Sequence, residues 1–155
     1  MNGWTIRRDD LTHPDVLALL NLHLRAAQEN SPPGSVFALD VSGLRDPMVT
    51  VWTAWDRDVL LGMAALKQLD PAWGEVKSMR TAPAQLRGGV AGVLLDHLIA
   101  AARERGYRRL SLETGSNAPF VAAHALYRRA GFVACAPFGG YHDTEFSQYF
   151  TRDLA

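Results

Sequence analysis

Three glycines, Gly88, Gly89 and Gly92, fall within five residues of the segment RTAPAQLRGGVAGVLLDHL (Arg80–Leu98) and divide two stretches of different periodicity. Upstream, GEVKSMRT sets Glu75, Lys77, Met79 and Thr81 against Val76, Ser78 and Arg80, the alternation of a strand. Downstream, Val90, Val93, Leu94, Leu98, Ala101 and Ala102 recur at helical steps until Gly106, which predicts an amphipathic helix. YRRLSLET then reads as a strand again. A strand, helix and strand of these lengths require a right-handed crossover and a parallel pair, so the sheet is not purely antiparallel.

The flanking sequence fills in the rest. THPDVLALLNLHLRAAQEN predicts a helix with Thr12 as N-cap and Pro14 and Asp15 in its first turn, ended by NSPPGS. MVTVWTAW and VLLGMAALKQL form a hairpin around Asp56, Arg57 and Asp58, and GEVKSMRT extends it into an antiparallel meander. SNAPFVAAHALYRRAGF predicts a second crossover helix, with Ser116 or Asn117 as cap, Pro119 in the first turn and Gly131 as terminator. Phe132–Ala136 and Phe146–Thr151 supply one or two closing strands. The expected fold is an α/β sandwich on a mixed sheet. A chain of 155 residues, 48% of them hydrophobic, closes one core, so a single domain over 1–155 is expected.

Lys and Arg together number 16, as do Asp and Glu, leaving no overall basic excess to collect on nucleic acid or an anionic membrane. The N-terminal MNGWTIRRDDL lacks the apolar segment of a signal peptide, and no run approaches the roughly 18 apolar residues of a membrane span. A soluble, cytoplasmic protein is expected. The lone Cys135 excludes an internal disulfide and reads as core filling beside Phe132 and Val133.

A glycine turn that opens a helix offers unpaired main-chain N–H groups at the positive end of the helix dipole, a setting suited to phosphate oxygens, and also serves simply as a tight turn. Two phosphate motifs fail here. Val90 and Ala91 stand where a P-loop needs a lysine and a hydroxyl, and Gly88, Gly89 and Gly92 lack the dinucleotide spacing. What Leu86, Arg87, Gly88, Gly89, Val90 and Ala91 do resemble, with Pro83 three residues upstream and Leu94 and Leu95 beyond, is the acyl-CoA-binding motif R/Q x x G x G/A of the GNAT superfamily of N-acetyltransferases. Leu86 departs from it by replacing the usual Arg or Gln; Arg87 follows one residue later. ALYRRAGF, Ala125–Phe132, resembles the family's A L Y x x x G F signature, and the order of elements agrees over about Thr50 to Ala136. VKSMRTAP and LSLETGS are further similar to a bacterial subfamily of small-molecule acetyltransferases.

The resemblance implies a GNAT-like α/β fold with a mixed, mostly antiparallel central sheet flanked by helices, and transfer of acetyl from acetyl-CoA to the amine of a small molecule or amino acid, without a metal. It implies that the strand before the glycine turn parts from its neighbour and pairs with pantetheine through Met79 and Thr81, the N–H of Met79 polarising the thioester carbonyl. The pyrophosphate would lie on the amides of Arg87, Gly88, Gly89, Val90, Ala91 and Gly92, and Asn117 would reach the pantetheine or act only as a cap. Tyr127 takes the place of the family's general acid toward sulfur, although it also lies on an apolar stripe with Phe120 and Ala123. Glu75, expected on the same strand face as Met79, is the candidate base, with Glu113 as the alternative. His23 and the ENSPPGS loop occupy the family's acceptor side, and the family often forms homodimers. A catalytically silent acetyl-CoA-binding module is the competing reading. A hydrolase is disfavoured, because there is no G x S x G elbow and the five histidines show no paired ligand spacing.

Overall fold

The computed structural model describes residues 3–154. Seven strands form one sheet in the order β1-β2-β3-β4-β5-β7-β6: β1 Trp4–Arg8, β2 Val49–Asp56, β3 Val59–Asp70, β4 Trp73–Thr81, β5 Arg109–Gly115, β6 Val133–Cys135 and β7 Ser147–Asp153. Only β4 and β5 pair in parallel. The helix between them, α3 (Val90–Glu104), makes the crossover that the periodicity predicts. The meander β2-β3-β4 is also as read, with Arg57 and Asp58 as the hairpin loop. The five-residue β1 and the one-turn helix α2 (Val41–Leu44) were not anticipated.

Helices cover both faces of the sheet. Val16, Leu19 and Leu20 of α1 (Pro14–Asn30) and Leu44 of α2 bury against Met63 and Ala65 on one side. Val90, Leu94, Leu95 and Leu98 of α3 bury against Leu66, Val76, Leu110 and Leu112 on the other, where Tyr127 of α4 (Val121–Arg129) joins them. These stripes are the apolar periods of the sequence turned inward. The cap of α1 differs from expectation: His13 caps it, its ring Nδ1 accepting the Asp15 N–H at 3.1 Å. Thr12 is engaged elsewhere, its hydroxyl donating to Asp10 at 2.6 Å. Both closing strands form, and Cys135 is half-buried on the edge strand rather than in the core. No helix among the described residues is long and apolar enough to cross a membrane.

β4 contains the one irregularity that shapes the site. Ala65 pairs with Lys77 and Met63 with Arg80, so a two-residue step on β3 faces a three-residue step on β4. The extra residue is a bulge at Ser78, whose φ is 54°. Beyond it the facing of the strand inverts: Val76 and Met79 both pack in the α3 core, whereas Lys77 and Arg80 both turn toward α1 and the chain that follows it. Glu75 and Met79 therefore lie on opposite faces, correcting the expectation of a shared one. On the far side, β4 and β5 pair only from Trp73↔Arg109 to Glu75↔Ser111 and then diverge.

The paired base of this opening is tightly packed. A Cβ on Gly74 would meet two ring carbons of Tyr107 at 2.7 Å. Gly74→Ala is expected to cost about 1–3 kcal/mol through displacement of that ring, measurable as a lower urea midpoint with unchanged slope.

Candidate active site

Past Glu75, β4 keeps its partner β3 and β5 keeps β7, but the two inner edges face each other unpaired. The Ala82 N–H donates to Leu61 O on the β3 side. By the alternation of main-chain groups along a strand, those of Met79 and Thr81 face the opening. A cavity of about 240 Å³ lies here, lined by Ser78, Met79 and Arg80 of β4, Glu113 of β5, Tyr127 of α4 and His23 of α1. The Ser78 hydroxyl oxygen is buried there without a hydrogen-bond partner among the described residues.

β4 leads through a short turn, Pro83–Gln85, into the glycines. Gly89 is the N-cap of α3 with φ 89°, a left-handed conformation that glycine adopts without strain, and Arg87 next to Gly88 has φ 67°. The first main-chain bond of the helix runs from Val93 N to Gly89 O, so the amides of Val90, Ala91 and Gly92 have no partner within the helix. Leu86 is 64% exposed.

Tyr127 is 7% exposed, and its hydroxyl makes no hydrogen bond to another described residue. Burial, and then the charge of Glu113, push its pKa up to about 12, so the phenol holds its proton at neutral pH. α4 is fixed to β5 one turn earlier, where His124 Nε2 lies 2.7 Å from Gly115 O. Glu113 follows Leu112, which faces the α3 core, and so turns toward the α1 side. Burial raises the Glu113 carboxyl above the ordinary range, and the nearby Glu75 charge acts in the same direction.

Glu75 is placed differently. It is 2% exposed and does not line the cavity; the Tyr141 hydroxyl donates to its Oε2 at 2.5 Å, and Lys77 Nζ stands 3.4 Å from the same oxygen. Lys77 also donates to Tyr141 Oη at 2.7 Å and to Phe37 O at 3.1 Å. Asn117 lies at the start of the turn before α4 without a side-chain cap bond; its Nδ2 donates to Asn30 O at the end of α1. No sequence motif assigns a role to Tyr141, Lys77 or Arg80: Lys77 and Arg80 stand in a strand that alternation predicts, whereas Tyr141 lies in a loop with no periodic signal.

On the α1 wall, Arg80 Nε donates to His23 Nδ1 at 3.0 Å. The imidazole lone pair is thus occupied. Burial first, and then the charges of Arg80 and Lys77, hold the His23 pKa down at about 4, so the ring is neutral at pH 7. Among the described residues no cluster of three or more His, Cys, Asp or Glu is placed to hold a metal.

The sheet is thus mixed and seven-stranded, it opens between its two parallel strands, and a glycine-capped helix start follows one of them. Residues 16–132 match the Acetyltransferase (GNAT) family, and the chain belongs to that family. It is 48% identical to the uncharacterised N-acetyltransferase YedL of Escherichia coli (strain K12), over 97% of this chain and 95% of that protein. A Klebsiella pneumoniae structure, named as an acyl-CoA N-acyltransferase, superposes with TM-score 0.83 at 28% identity, covering 100% of both chains. A Bacillus subtilis acetyltransferase solved in complex with CoA shares the fold, with TM-score 0.75 at 19% identity over 98% of this chain and 99% of that one.

The His23 environment has a measurable consequence. NMR titration should show this ring protonating near pH 4, well below the ordinary 6.5. The unfolded chain takes up that proton first as pH falls, so stability should decline from about pH 6.5 toward pH 4, and His23→Gln should remove that part of the decline. A ring that titrates near 6.5 in the folded protein would contradict this account.

Proposed function

We propose that this protein is an acetyl-CoA-dependent N-acetyltransferase that acts on the amine of a small molecule or amino acid. One observation carries the reading: the unpaired inner edge of β4 runs directly into the unpaired amides that open α3. An extended amide-bearing arm ending in a pyrophosphate matches that sequence of donors and acceptors. The orphaned main-chain groups of Met79 and Thr81 suit the arm, and the amides from Arg87 to Gly92 suit the phosphates, with Gly88 and Gly89 leaving their surface bare. The CoA in the B. subtilis neighbour supports this fit. When bound, acetyl-CoA supplies the thioester carbonyl that the amine attacks.

The protein's own groups then have separable tasks. The Met79 N–H stabilises negative charge that develops on the carbonyl oxygen. Glu113 takes the proton that an ammonium acceptor must lose, and burial, by raising its pKa, makes it a stronger base than an exposed carboxylate. As the C–N bond forms and the C–S bond breaks, Tyr127 gives its proton to the departing sulfur and regains one from the attacking nitrogen, which sheds its second proton in becoming an amide. Its hydroxyl makes no hydrogen bond to another described residue, which leaves it available for that purpose. We assign the base to Glu113 rather than Glu75 because Glu113 lines the cavity, whereas Glu75 is committed to Tyr141 and Lys77. Asn117, tied to Asn30, helps to hold α1 against the β5 end of the opening and is not assigned a pantetheine contact.

Release of CoA from acetyl-CoA in the presence of an amine panel tests the reading. Tyr127→Phe should lower kcat about 10- to 100-fold with acetyl-CoA affinity kept, and Gly89→Val, strained at φ 89°, should abolish acetyl-CoA binding by calorimetry. Turnover unchanged in the phenylalanine variant would remove the acid role. For the base, kcat/KM should fall as pH drops through the Glu113 pKa, on a limb displaced upward from the ordinary carboxylate range. Glu113→Gln should lower kcat and flatten that limb, whereas an unaltered pH profile would return the base to another group.

A further inference from the structure

The cavity holds two cations, and they are not equivalent. Lys77 is neutralised on the spot by Glu75 and saturated by Tyr141 Oη and Phe37 O. Arg80 forms no salt bridge among the described residues; its one recorded hydrogen-bond partner is the uncharged His23 ring, reached through Nε. The guanidinium charge therefore lines the cavity, and the donors of both terminal nitrogens are uncommitted among the described residues. A half-buried cation left without a counter-ion is unfavourable unless a ligand completes it. A neutral imidazole is well suited to this place. It accepts from Nε and fixes the plane of the guanidinium without cancelling its charge, as a carboxylate would.

We infer that the acceptor carries a carboxylate as well as its amine, and that Arg80, oriented by His23, binds this carboxylate through its free terminal nitrogens. The inference rests on the acetyl-transfer reading above and narrows its acceptor to amino acids and related amino carboxylates. The bulge at Ser78 places Arg80 on the α1 face, together with Glu113, and away from the α3 face where the amides of the glycine turn lie. The guanidinium is thus on the acceptor side. Glu113 and Arg80 line one cavity, so a zwitterion meets an anion for its ammonium and a cation for its carboxylate. The fork of a guanidinium matches a carboxylate in two parallel hydrogen bonds, which a carboxamide of the same shape cannot equal in charge.

Matched pairs of acceptors test this: the common amino acids against their carboxamides, with acetyl-CoA consumption followed for each and acetyl-CoA binding measured separately by calorimetry. The preferred acid should exceed its own carboxamide in kcat/KM by on the order of 10- to 100-fold. Arg80→Gln should bring that ratio to near unity, chiefly through KM for the acid, with calorimetric affinity for acetyl-CoA unchanged. His23→Phe, which keeps a ring but removes the acceptor of the Nε bond, should raise KM for the acid more than it lowers kcat. Carboxamides used as well as acids, acids and carboxamides losing equally in Arg80→Gln, or a chain that binds acetyl-CoA yet acetylates no amino acid would each overturn the inference and leave the transfer reading standing. Weakened acetyl-CoA binding in Arg80→Gln would overturn it too, by assigning the guanidinium to the carrier. A wild-type chain that binds no acetyl-CoA at all removes the transfer reading and this inference with it.

Discussion

One additional residue in one strand organises this molecule. Had β4 continued in register past Lys77, nothing would have turned Met79 and Arg80 over, and the bulge lies in the stretch of β4 that is already unpaired with β5. The bulge at Ser78 leaves a non-glycine residue at φ 54° and a buried hydroxyl without a partner among the described residues. Each is unfavourable, a left-handed serine by roughly 1 kcal/mol, and the surrounding pairing on β3 and packing on α3 hold them in place. The bulge sits beside an interior sheet edge whose main-chain groups are not paired across to β5.

The same bulge sorts the charges. Glu75, Lys77 and Tyr141 close on one another and leave the cavity little net field, whereas Arg80, three residues past Lys77 and beyond the bulge, bonds the neutral His23 ring and forms no salt bridge among the described residues. On the proposed reading, the first group is scaffold: it ties the separate loops of Phe37 and Tyr141 to β4 through hydrogen bonds that cross 40, 64 and 66 positions of sequence. The second is recognition. Burial acts in opposite senses on its neighbours, lowering His23 to keep it uncharged and raising Glu113 to make it a better base.

Much of the frame was legible in the sequence, because apolar period is a direct report of which face meets the core. The meander, the crossover helix and the glycine turn all followed from that report. β1 escaped it because WTIRR offers only Trp4 and Ile6 as an alternating pair. The cap of α1 was misassigned between adjacent residues, since Thr12 and His13 both carry a suitable acceptor and Asp10 captured the threonine. The bulge left no mark at all: VKSMR alternates as well as any strand, and only the register against β3 shows that Ser78 is the residue out of step. Glu75 was consequently assigned to the face of Met79. Tyr141 joins Glu75 from 66 positions away, a contact no local pattern encodes.

The departure at Leu86 fits the division of labour proposed for the two halves of the site. A side chain that is 64% exposed and apolar contributes no charge to a phosphate, yet the amides of Val90, Ala91 and Gly92 are oriented by the helix itself and do not depend on which residue occupies position 86. Binding through main chain tolerates substitution, as long as the glycines keep their conformations. Binding through side chains does not, because in the proposed acceptor site Arg80, His23 and Glu113 are assigned roles that depend on charge and hydrogen-bond direction, which a single replacement removes. A fold that holds its common ligand by backbone and its acceptor by side chains can therefore change acceptors over evolution without rebuilding the cofactor cleft, and the residues that distinguish one acceptor from another are to be sought on the α1 face of β4 and β5.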